Sequence, residues 1–240
     1  MRSAGIAFPK ISRALQPAAG LARPSPMNQI ALGLGAVLFS SLLFAQAAAP
    51  ERVVKGNQLI SKSDPEVTIK LPRAAKHLGA DRWNLYDVAD CELHVFVEAD
   101  KNKNIKALYW VQFEGYLPSN THAYDYSEDE PVTFAGQPFF QRASFGPTDR
   151  PTKAGSDLEH VRAIVQRAGY KMPAESMNVR LVHLLDETRR KELMFIYTED
   201  LAPTGYTSGQ LKEGDRTRPE WEAIRKEFAA RAMERIKLSR

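Results

Sequence analysis

Strict alternation of apolar and polar residues marks the middle of the chain. Over 91–99, Cys91, Leu93, Val95, Val97 and Ala99 fall on one side and Glu92, His94, Phe96 and Glu98 on the other. That period of two is the pattern of a strand with one face buried. Residues 106–116 repeat it, with Ala107, Tyr109, Val111 and Phe113 set against Leu108, Trp110, Gln112 and Glu114. Asp100 to Asn104 between them is a polar turn, so the two runs predict a hairpin. A loop over 100–104 pairs 99 with 105. Counting back from that pair sets His94 opposite Trp110, Glu92 opposite Gln112 and Val95 opposite Tyr109.

Elsewhere the pattern is shorter. Residues 48–62 read as an extended, weakly ordered lead-in. Val67 to Leu71 suits a strand, 72–79 a single helical turn stopped by Gly79, and Arg82 to Val88 a further strand. Residues 117–154 mix proline, glycine and acidic loops with strand fragments at Val132 to Phe134 and Phe139 to Phe145. Ser156-Asp157-Leu158-Glu159 has the spacing of a capping box. Leu158, Val161, Val165 and Ala168 then give a helix one apolar face before Gly169 ends it. Val179 to Leu185 and Glu192 to Thr198, joined by a turn over 186–190, are apolar on both faces, as central strands covered on each side are. Thr217-Arg218-Pro219-Glu220 is a second capping box. The helix behind it carries the stripe Trp221, Ile224, Phe228, Ala232 and Ile236, and a basic end at Arg235, Lys237 and Arg240 that suits the helix dipole.

These elements predict one α+β domain over 50–240. Its frame is a curved antiparallel sheet of about six or seven strands, with two amphipathic helices packed on one face. No strand–helix–strand unit with a glycine-rich turn is present, which excludes a dinucleotide-binding fold.

The first fifty residues follow another rule. They hold no Asp or Glu; Arg2, Lys10, Arg13 and Arg23 precede an apolar run from Ile30 to Phe44, and Ala45-Gln46-Ala47 fits a signal peptidase site. This order predicts a targeting leader over 1–49 and a periplasmic or secreted product. Because 30–49 is nominally long enough to span a bilayer, anchorage by that segment is the alternative. Met27 is a second candidate start, although no Lys or Arg would then precede the apolar core.

The leader also changes the meaning of the charge. Its four basic residues account for the whole excess of 33 Lys and Arg over 29 Asp and Glu, so 50–240 is formally neutral. A nucleic-acid partner, which needs a basic footprint, is therefore not expected, nor is membrane contact after leader cleavage. The one cysteine, Cys91, excludes an intramolecular disulfide and reads as a buried, inert thiol.

Motifs for a nucleophile elbow, a phosphate loop, a zinc site or an EF-hand are absent from the sequence, so no cofactor and no metal is expected. Four weaker signals remain. His94, flanked on its strand face by Glu92 and Glu98, has the neighbours of a general base. His183 would match it if Asp186 or Glu192 turned towards it. The acidic loop from His122 to Glu130 offers oxygens to Ca²⁺, without the spacing that such loops use. Finally, 109–145 holds ten of the 22 aromatic residues, and Trp110 and Tyr116 share the more polar face with Gln112 and Glu114.

Together with Glu92 and His94 across the hairpin, those four residues make the expected ligand-binding set. The expected function is that of an exported, non-catalytic domain binding a small organic ligand or an envelope protein through this aromatic, mixed-polarity face. The alternatives are a cell-envelope hydrolase or lyase using a His–carboxylate pair at His94 or His183, and a structural accessory protein acting through the terminal helix.

Overall fold

A computed structural model describes residues 49–214 and 216–239; the expected leader, but for its last residue, lies outside them. In chain order the strands are β1 (Val53–Lys55), β2 (Gln58–Lys62), β3 (Glu66–Lys70), β4 (Lys76–Leu85), β5 (Ala89–Ala99), β6 (Ile105–Tyr116), β7 (Glu130–Phe134) and β8 (Gln137–Pro147). Helix α1 (Asp157–Arg167) precedes β9 (Glu175–Leu184) and β10 (Lys191–Asp200). The short strands β11 (Lys212–Glu213) and β12 (Arg216–Thr217), helix α2 (Pro219–Arg235) and β13 (Lys237–Ser239) complete the chain.

The fold is mainly β. An open seven-stranded sheet runs in the order β4-β5-β6-β10-β9-β8-β7, every pair antiparallel, and a smaller sheet runs β1-β2-β3-β13. Among the described residues no helix is long and apolar enough to cross a membrane.

Alternate side chains of the large sheet feed two hydrophobic layers. Phe96, Tyr109, Val111, Leu181, Phe195 and Tyr197 pack with Leu59 and Ile69 of the small sheet and with Trp221, Phe228 and Ala232 of α2. Leu93, Val95, Leu108, Trp110, Val182 and Ile196 pack with Val161, Ile164 and Val165 of α1, and with Tyr124 and Tyr126 of the 117–129 loop. The two helices therefore lie on opposite faces of the sheet, not on one face as expected. Strands as apolar on both sides as β6, β9 and β10 need cover on both, and a helix on each side contributes to it.

The hairpin register is also corrected. Ala99 pairs with Ile105 as counted, but Glu98 then pairs with Ala107, leaving Lys106 as the extra residue of a β-bulge. Every later pair slips by one: Val95 faces Trp110, His94 faces Val111, Leu93 faces Gln112 and Glu92 faces Phe113.

Several smaller elements differ from expectation. Residues 53–62 form the β1–β2 hairpin and not a loose lead-in. The turn expected over 72–79 gives way to β4, with Gly79 at a bulge inside it. Neither capping box forms: Ser156 makes no side-chain cap bond while Glu159 Oε2 accepts from the Gly155 N–H, and Arg218, not Thr217, is the N-cap of α2. The terminal helix stops at Arg235, because Ile236 turns extended and 237–239 pair with β3.

Candidate functional site

The bulge divides the expected ligand-binding set. Glu92 and His94 point into the layer beneath the small sheet and α2, whereas Trp110, Gln112, Glu114 and Tyr116 point to the α1 side. The intended face is also interior, since Trp110 is 5% exposed and Gln112 not at all.

On the first side, Glu92 gathers donors. Its carboxylate accepts the Glu51 N–H at 2.8 Å, the Arg52 N–H at 2.9 Å, the Arg52 guanidinium at 3.0 Å and His94 Nε2 at 2.9 Å. Burial alone would raise this carboxyl, but the bonds from His94, from both N–H groups and from Arg52 outweigh it and bring it down to about 2. The His94–carboxylate pair suggested by the sequence thus exists, in the interior, with His94 1% exposed. Glu98 takes no part in it and accepts instead from Arg235 and Tyr109. Next to His94, His77 is pushed down to about 4, by burial first and by the His94 charge second.

On the second side, a chain of bonds runs along β6. Trp110 Nε1 donates to Gln112 Oε1, Gln112 Nε2 donates to Glu114 Oε2, and the Tyr124 hydroxyl donates to Glu114 Oε1, each at 2.8 Å. The Tyr126 hydroxyl donates to Glu192 at 2.6 Å. Tyr116, Tyr124, Tyr126 and Phe140 stack in succession above these groups, with centroid separations of 4.3, 6.3 and 5.7 Å. Burial raises the carboxyls of Glu114, Asp157 and Glu192, and their mutual repulsion raises Asp157 and Glu192 further.

The remaining candidates disperse. In the acidic loop, buried Asp129 pairs with Arg142 and Arg180, Glu130 pairs with Arg225, and Asp125 accepts from the Ser127 N–H. Among the described residues His183 meets no carboxylate: Glu192 points to the other side of the sheet and Asp186 accepts from Thr188.

Two clefts open beside these groups. One, of about 370 Å³, lies at the strand ends and is lined by Glu92, Glu114 and Tyr116 together with Arg52, Arg82 and Lys191. Its cations are already paired, Arg82 with Asp90 at 2.6 Å, Arg52 with Glu92 and Lys191 with Asp64 at 3.0 Å. The other, of about 500 Å³, separates the two sheets; Val67 and Leu238 line it from the small sheet, and Phe139, His183 and Leu193 from the large one. His183 stacks on Phe139 with centroids 5.1 Å apart, and its Nδ1 lies 2.8 Å from the Pro138 carbonyl. Only an N–H can make that bond, so neutral His183 carries its proton on Nδ1 and keeps Nε2 as an acceptor.

No protein family, curated protein or solved structure matches the chain. Sequence reasoning found His183 but not its cleft, because the opposing wall comes from residues 65–67 and 238–239, at the two ends of the domain. It also left Asp157 as a helix-capping residue and Cys91 as a packing residue, although both stand beside Glu114 in the structure.

Proposed function

We propose that this is an exported, non-catalytic domain that holds a small, largely apolar ligand in the cleft between its two sheets. The observation that carries the reading is the composition of that cleft: apolar side chains from both sheets, with Glu66, Gln137 and Ser239 as polar lining, around one imidazole whose acceptor nitrogen is uncommitted. Binding sites are of this size, with apolar side chains for contact and polar groups that fix orientation. A ligand with one hydroxyl or N–H aimed at His183 Nε2 suits it. Export rests on the acid-free leader and its apolar core. The charged cleft is the weaker seat, since a ligand there must break existing ion pairs.

Extraction of small molecules from the full protein, purified from its native compartment, tests the reading. Ser239 lines the cleft and is exposed, so Ser239→Trp adds bulk to the space from an exposed position. A stoichiometric apolar compound in the parent protein and its loss from the variant is the expected result. Recovery of nothing from either, or of the same compound from both, counts against it.

A further inference from the structure

Beneath α1 lies chemistry that ligand binding between the sheets leaves unused. The Cys91 thiol, a Glu114 oxygen and an Asp157 oxygen all lie within 4.8 Å of one another. They converge from three elements: Cys91 faces Glu114 directly across the β5–β6 ladder, and Asp157 is the first residue of α1. Cys91 is fully buried, Asp157 is 3% exposed, and Asp157 Oδ1 is buried without a hydrogen-bond partner. Among the described residues neither Glu114 nor Asp157 has an ion pair; Arg180, which acts on nearby Glu192, is itself held by Asp129.

Removing a carboxylate from water costs several kcal/mol even after relaxation, and protonation, a paired cation or a coordinated metal offsets it. The amino end of α1 supplies part of the compensation, worth about 1 kcal/mol or less, which is too little for two acids. The site thus has three anionic donors in prospect and no positive charge among them.

We propose that Cys91, Glu114 and Asp157 bind a thiophilic divalent cation, with Zn²⁺ the ion whose chemistry fits best. Calcium and magnesium want six or more oxygen ligands, whereas a thiolate with two carboxylates is a donor set for a borderline-soft ion. Tetrahedral zinc sets sulfur and oxygen ligands ~3.5 Å apart, so the three atoms close by about 1 Å on binding, within reach of side-chain torsions. Gln112 and Tyr124 orient Glu114 by their 2.8 Å bonds, as outer partners of metal ligands do. Glu114 also lines the strand-end cleft, which gives an ion its way in. A fourth position remains for water.

The full protein, stripped with a chelator and titrated with Co²⁺ and then Zn²⁺, tests the proposal. One equivalent of Co²⁺ should bind with a thiolate-to-metal charge-transfer band, which Zn²⁺ abolishes by displacement. Zn²⁺ should raise Tm where Ca²⁺ and Mg²⁺ do not. Cys91→Ser should remove the band, and Asp157→Asn should weaken Zn²⁺ binding about a hundredfold. Because the chain has a single cysteine, the band reports on this site alone. Absence of the band in the parent protein, its survival in Cys91→Ser, or equal stabilisation by Ca²⁺ would overturn the proposal. The parent measurement decides even if a variant fails to fold.

Discussion

Arg52 holds Glu92 twice, through its backbone N–H to Oε1 at 2.9 Å and through its guanidinium to Oε2 at 3.0 Å. The guanidinium also lies over the Phe113 ring, 4.2 Å from its centroid. Residues 51 and 52 are thereby fixed to β5 of the large sheet by one buried carboxylate.

Acid should loosen that attachment. The folded Glu92 carboxyl sits at about 2 against an ordinary value of 4.5, so the unfolded chain takes up the proton more readily. The stabilisation is complete above about 4.5 and is lost as pH falls towards 2, on the order of 3 kcal/mol in all. Denaturant titrations between pH 5 and 2 should show this slope, and Glu92→Gln should flatten it while lowering stability at pH 7 by about 3 kcal/mol. An unchanged slope in the variant would assign the acid sensitivity elsewhere.

At Gly79 the relation is steric. A Cβ placed there would lie 3.3 Å from Ile164 Cγ2, because α1 rests on β4 at this point. Gly79→Ala should therefore cost about 1 kcal/mol, and Gly79→Val more. Ile164→Ala, which removes that Cγ2 atom, should cost less in the Gly79→Ala background than in the parent protein, a coupling that a double-mutant cycle reads directly. Additive effects would mean that the helix does not press on the strand.

The β-bulge makes a sharper claim. Lys106 is the extra residue between the pairs Ala99–Ile105 and Glu98–Ala107, so deleting it leaves every later pair intact. The deletion variant should fold at a cost of about 1 kcal/mol and keep its near-ultraviolet dichroism. Deleting Leu108 instead moves Ala107 into the buried place of Leu108 and Lys106 into that of Ala107, and should cost several kcal/mol more. Equal damage from both deletions would count against this register.

That bulge also shows where the sequence stopped being informative. Strand existence was legible at β5, β6, β9 and β10 because long alternating or apolar runs leave few other readings. Register was not, because Tyr109 and Val111 on one side of β6 are as apolar as Leu108 and Trp110 on the other, and both sides are buried. A slip of one residue therefore leaves no hydrophobic pattern violated. The small sheet was hidden for a different reason: β13 pairs with β3 across most of the chain, and neither strand exceeds five residues. The cluster of Cys91, Glu114 and Asp157 joins residues from two strands and a helix, and no spacing within a single element announces it.

In the terminal helix, Phe228 is fully buried and stacks on Tyr197 at 5.4 Å, while Trp221 meets Phe145 at 4.6 Å. Helix α2 covers the first core layer, and β13 behind it completes the small sheet. Removal of 217–240 should therefore prevent folding, and Phe228→Ala should cost about 3–5 kcal/mol. A truncated chain that folds but loses a partner would instead support the accessory role of the terminal helix.

Asp129 closes the opposite layer. Its side chain is 1% exposed and accepts from Arg142 Nε at 2.5 Å and Arg180 Nη2 at 2.7 Å, and Arg180 lies 5.1 Å from the centroid of the Tyr126 ring. These contacts fasten the end of the 117–129 loop over Trp110 and the stacked tyrosines. Asp129→Ala leaves two guanidinium groups without their shared carboxylate and should cost about 3–5 kcal/mol. Its first effect should be local: hydrogen exchange should rise at 122–129 before the strands of the large sheet lose protection. Uniform exchange across the domain would mean that the loop and sheet open together, and that Tyr124 and Tyr126 belong to the central folding unit and not to a cover laid upon it.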